Sequence, residues 1–126
     1  MKKRVENYLP SAINAVEDII LNENPNNPIP RQFKGYISAF GAAVIQSGIL
    51  PAMAFYSAKG GAEEDRTNVI RAIEYILNRQ ENYTYNDNET LLKYLVEHPN
   101  ERENLTAKIM DAATALKLAL RTFKIE

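Results

Sequence analysis

The chain has no cysteine and no tryptophan, one histidine, and five glycines in 126 residues. Without cysteine there are no disulfides and no thiolate metal sites, which fits a reducing compartment. A single histidine, His98, also excludes a His-rich metal centre. The glycines form neither a phosphate loop nor a dinucleotide-binding pattern, because Gly60-Gly61 lack the flanking residues. No serine has a base in a recognisable arrangement. No apolar run approaches the ~20 residues that a membrane span needs. The start, Met1-Lys2-Lys3-Arg4, is basic, but Val5-Glu6-Asn7-Tyr8 follows in place of an apolar signal core. The expectation is a cytoplasmic protein, away from membranes, with no catalytic residues, no metal and no cofactor. The sequons at Asn82, Asn88 and Asn104 then read as chance. A carboxylate-only Mg²⁺ site at Glu63-Glu64-Asp65 is formally open, but those acids also suit the positive end of a helix dipole.

One absence is local. From Asn24 to Ala62 there is no carboxylate, so Arg31, Lys34 and Lys59 give that window +3 on a chain of net −1. Residues 63–103 carry ten acids against five bases, and residues 104–126 return to +2. Charge segregated in this way can present a basic face and keep the acids elsewhere. Ordinary scatter of surface charge is the bland alternative.

What is present in quantity is helical periodicity. Leu9, Ile13, Val16 and Ile20 form one stripe of a helix expected from Lys3 to Asn22, with a kink or restart at Pro10. Three prolines make Asn22 to Pro30 a loop. Phe33, Tyr36, Ile37, Phe40 and Val44 mark the inward face of a second helix, Arg31 to Gln46, kept thin by Gly41-Ala42-Ala43. Gly48 supplies a hinge or C-cap, and Pro51 suits the first turn of a third helix that reaches Ala58 and ends at Gly60-Gly61. Val69, Ile70, Ile73, Ile76 and Leu77 give the fourth helix, Ala62 to Arg79, a wide apolar face. Asn88 is the expected N-cap of a short fifth helix, Glu89 to Glu97. The sixth is expected from Glu101 to Lys124, with Leu105, Ile109, Ala112, Ala113, Leu116, Leu120 and Phe123 inward. The fold class is all-α: a compact antiparallel bundle of about six helices, forming one domain over 1–126.

Basic residues are the main candidates for contact with a partner. Arg31 and Lys34 flank the start of the second helix, and Lys59 ends the third. Lys117, Arg121 and Lys124 fall at i, i+4 and i+7 on the last helix, opposite its apolar stripe, where phosphates could lie along them. Cations also favour helix C-termini and exposed faces, so that spacing alone leaves both readings open. If it is a site, these residues should converge with Arg31 and Lys34 on one basic face, away from the acidic 63–103 region. Tyr83 and Tyr85 lie in a polar loop and could stack on a partner or pack in the turn. His98, before Pro99, is placed to serve the last carbonyls of a helix.

The stretch from Phe33 to Gly60 has an ordered pattern. An aromatic-led amphipathic helix opens at Phe33, followed by Ser47-Gly48-Ile49-Leu50, Ala54-Phe55 and Ala58-Lys59-Gly60. With the closing run Ala115-Leu116-Lys117-Leu118-Ala119-Leu120-Arg121-Thr122-Phe123-Lys124, this order resembles the small subunit of the type III-B CRISPR–Cas effector complex, the Cmr complex. The resemblance implies a non-catalytic helical part of an RNA-targeting immune complex. It implies contact with guide RNA and target RNA through their backbones, with the backbone and large subunits, and with copies of itself. On that basis Arg31, Lys34, Lys59, Lys117, Arg121 and Lys124 are the RNA-contact candidates. Many members of that family carry two basic residues in the middle of the second helix, where this chain has Ser38 and Ala39. That contact is then missing, or moved to Lys34 or the last helix. Two other readings stay open: a helical adaptor with no nucleic-acid role, and the small subunit of the related type III-A complex.

Overall fold

The apolar stripes of the second, fourth and sixth helices become the faces by which they join a common core. The first helix instead buries Val5, Tyr8, Ala12, Ala15 and Val16 and leaves Leu9, Ile13 and Ile20 of its expected stripe only partly buried. The computed structural model describes residues 2–22, 24, 26–58, 64–83 and 90–126. Within them are α1 (Lys3–Ala15), α2 (Arg31–Ser47), α3 (Ile49–Ser57), α4 (Glu64–Glu81), α5 (Leu91–Glu97) and α6 (Arg102–Ala119). A π-turn, Val16–Ile20, extends α1, and a 3-10 turn, Leu120–Thr122, extends α6. Among the described residues there is no strand, only an isolated parallel bridge between Ile29 and Ile125. No helix among them is long and apolar enough to cross a membrane.

Side-chain pairs fix the helix directions. Tyr8 bonds Glu81, Ser11 accepts from Gln80, and Asp18 accepts from Tyr75, so α1 and α4 run antiparallel. Lys34 and Ser38 face Lys117 and Arg121 across a shared groove, while a Cβ on Gly41 would meet Met110 at 3.5 Å. That order makes α2 and α6 antiparallel too. Phe33, Ile37 and Phe40 of α2, Ile73, Ile76 and Leu77 of α4, and Leu105, Ile109 and Leu116 of α6 are all fully buried. Burying a side chain of this size stabilises the fold by about 1.5–3 kcal/mol, so these three helices hold most of the core.

Four expectations are corrected. The first helix does not restart at Pro10 but continues through it, where Pro10 is exposed and water can satisfy the carbonyl that loses its N–H partner. Its irregularity lies further on, where the Leu21 N–H reaches the Val16 carbonyl at 3.0 Å in the wider π pattern. The fourth helix extends past Arg79 to Glu81. The fifth starts at Leu91, not Glu89, capped by the Thr90 hydroxyl, which accepts from the Lys93 N–H at 3.1 Å. Glu74 of α4 adds a second cap, its carboxylate accepting from the Leu91 N–H at 3.0 Å. Finally, α6 does not reach Lys124: it ends at Ala119, tightens through Leu120–Thr122, and leaves Phe123 extended. Gly60, Gly61, Ala62, Asn88 and Glu89, with the candidates Lys59, Glu63 and Tyr85, lie outside the described residues.

Candidate nucleic-acid interface

The antiparallel pairing of α2 and α6 brings three of the six candidate cations to one groove. Lys34 and Ser38 lie one turn apart on α2, and Lys117 and Arg121 are four residues apart on α6 and its 3-10 extension. Leu120, Phe123 and Ile125 complete the lining of a cavity of about 450 Å³. None of the lining residues comes from the acidic 63–103 region. Ser38 is on the wall of this groove, and Lys34 one turn earlier supplies the α2 charge.

The chain after α6 lines part of the groove. The Ile29 N–H donates to the Lys124 carbonyl at 2.8 Å, and the Glu126 N–H donates to the Ile29 carbonyl at 2.8 Å. This clip holds residues 123–126 as a strap beside the start of α2. It also explains where the other candidates went. Lys124 is exposed on the strap, outside the helical stripe, with its own carbonyl committed to Ile29. Arg31 donates to the Glu126 carbonyl at 3.3 Å and lines an adjoining cleft with Gln32 and Glu126. The groove thus gathers Lys34, Lys117 and Arg121; Arg31 and Lys124 flank it, and Lys59 lies outside the described residues.

Four other cations among the described residues, Lys2, Arg4, Lys93 and Lys108, pair with acids. Buried Asp111 accepts from Arg4 at 3.1 Å and lies 3.5 Å from Lys2. Lys108 pairs with Glu81 at 3.0 Å, and Tyr8 donates to the same carboxylate at 2.8 Å. Burial, then the bond to Glu81, pushes the Tyr8 hydroxyl above its ordinary range. Burial alone would raise the Glu81 carboxyl, but hydrogen bonds from Lys108 and Tyr8 outweigh it and hold that group below its usual value. Among the described residues no acid pairs with Lys34, Lys117 or Arg121.

The remaining candidates are absorbed by structure. His98 caps α5, its Nδ1 lying 2.9 Å from the Tyr94 carbonyl and its ring stacked 3.9 Å from that of Tyr94. Tyr83 packs edge-on against Tyr94 at 5.6 Å. Among the described residues no three His, Asp or Glu side chains gather closely enough to hold a metal ion. Sequence reasoning placed Phe123 inward and did not find it, or Ile125, on the groove wall. No local signal marks either one, since the strap depends on pairing with Ile29, far away in the sequence.

A family model described as CRISPR-associated protein (Cas_Cmr5) matches residues 5–120. Comparisons with curated proteins and with solved structures find no match. The matched span takes in Lys34, Ser38 and Lys117 and stops just short of Arg121 and the strap.

Proposed function

The chain belongs to the Cas_Cmr5 family, the small subunits of the type III-B Cmr complex, and on that premise we propose that it is a non-catalytic subunit whose basic groove contacts guide–target RNA. The observation that carries this reading is the groove itself: three cations from two helices, converging without an acid partner among the described residues. A chain of net −1 does not attract RNA as a whole, so contact has to be concentrated where cations are unneutralised. The one histidine is tied to a helix end, which supports a structural and not a catalytic part. Family membership supports a place among neighbouring backbone and large subunits and further copies of the chain. The reading places the protein in the cytoplasm, in antiviral defence.

The test is assembly with guide–target RNA by a complex carrying Lys117→Glu with Arg121→Glu. Loss of RNA association at unchanged helical content is the expected result. The control is Lys3→Glu with Lys93→Glu, an equal charge change at exposed positions away from the groove. Binding by the isolated chain should be weak, indifferent to sequence and steeply reduced by salt. Equal loss from both double variants would show that only bulk charge matters and would sink the reading.

A further inference from the structure

The groove has two chemically different sides. Lys34, Lys117 and Arg121 supply charge, while Leu120, Phe123 and Ile125 supply apolar surface. Leu120 is buried in the core, whereas Phe123 and Ile125 pack against it and stay half-buried, which leaves part of each on the groove. Phe123 is half-buried and extended, with φ −120° and ψ 158°, so it has left the helix and stands on the strap. The strap is held by the two backbone bonds to Ile29, made at Lys124 and Glu126 on either side of Ile125. An aromatic ring fixed in this way next to cations is a pre-organised stacking platform.

We propose that this groove takes an unstacked base of single-stranded RNA on Phe123, while Lys34, Lys117 and Arg121 hold the phosphates on either side of it. The inference rests on the RNA-contact reading above and narrows it. A duplex presents its phosphates but hides its base faces, so only an unpaired nucleotide can use both sides of the groove. Base stacking on an aromatic face is tolerant of sequence, because every base has such a face.

Fluorescence anisotropy on the full chain tests it with three labelled probes of equal charge. They are an oligouridine of about ten nucleotides, its abasic counterpart, and a duplex of the same charge. The intact single strand should bind about tenfold more tightly than the abasic one, the gain expected from one stacked base. Phe123→Leu should erase that difference, with its unfolding midpoint recorded alongside. Lys117→Glu with Arg121→Glu should weaken all three probes. Equal binding of intact and abasic strands by the unaltered chain overturns the stacking platform but leaves the basic groove standing. Binding of all probes unaffected by the charge reversal removes both. Preference for the duplex overturns the proposal.

Discussion

Lys108 and Lys117 are nine residues apart on one helix and have opposite fates. Lys108 is committed: it holds Glu81, which also accepts from Tyr8, and Asp111 one turn later takes Arg4 and Lys2. Lys117 faces the other way, into the groove with Lys34 and Arg121, and has no acid beside it among the described residues. The first region spends its charge on joining α1, α4 and α6. The second keeps its charge available. Counting charges along the chain cannot separate the two, because what matters is whether the fold delivers an acid to each base.

The largest effect should come from the support that both regions share. Leu116 is fully buried on α6 between Asp111 and Lys117. Leu116→Ala should destabilise the fold by about 2–5 kcal/mol, read from denaturant unfolding. A midpoint that hardly moves would mean α6 does not anchor either region.

Next comes the direct contrast. Asp111→Ala leaves Arg4 and Lys2 without their acid, and the Asp111 side chain is only 7% exposed. The loss should be about 1–3 kcal/mol, nearer the lower end because Lys2 is largely exposed and screened. Lys117→Ala should stay within about 0.5 kcal/mol of the parent. If the two variants lose stability equally, the groove cation is structural and the comparison fails.

How far this could be read in advance differs between the two regions. The core faces of α2, α4 and α6 were legible, because Phe33 to Val44, Val69 to Leu77 and Leu105 to Leu116 repeat with helical spacing. The end of α6 was not. Leu120 to Lys124 continues that spacing with no glycine or proline, so local preference favours more helix. The backbone bonds to Ile29 win, and they join positions far apart in the sequence. The start of α5 failed for a related reason. Asn88 and Thr90 are both good cap types, and the choice is reinforced by Glu74 reaching across from α4. In the groove, Lys117 and Arg121 were legible from their spacing. The convergence of Lys34 with them was an expectation that only helix packing could meet, and Lys124 dropped out with the helix it was assigned to.

Two carboxyls sharpen the comparison through pH. Glu81 lies below its ordinary value of 4.5 because Lys108 and Tyr8 outweigh its burial, so its ionised form is favoured in the fold. Its stabilisation is present above that value and is lost as pH falls through the folded one. Glu74 lies above 4.5, because burial outweighs the Leu91 N–H and Arg71 that favour its charge. Its cost is absent at low pH and grows as pH rises from about 4.5 towards its folded value. Thermal unfolding should therefore show Glu81→Gln least stable, relative to the parent, near neutral pH. Glu74→Gln, which keeps an acceptor for the Leu91 N–H, should gain on the parent over the same rise. Parallel curves for both variants would refute the assigned environments.

The smallest effect is the most specific to the groove. Lys117 and Arg121 are like charges four residues apart, a spacing that costs a helix a few tenths of a kcal/mol, about 0.2–0.5, when no acid intervenes. Arg121 sits on the 3-10 turn rather than in α6, and both side chains are exposed, so the cost is at the low end of that range or below it. Lys117→Gln should therefore be neutral or slightly stabilising at low salt. That difference should vanish as salt shortens the reach of exposed charges to about 3 Å near 1 M. Lys108→Gln, made in parallel, should be destabilising, and should keep more of its effect in salt because its pair with Glu81 is mostly sheltered. The opposite signs are the point of the experiment: a cation kept for the fold lowers stability when it is removed, and a cation kept for a partner does not. If Lys117→Gln lowers stability as Lys108→Gln does, the groove charge belongs to the bundle, and the case for RNA in that groove loses its physical basis.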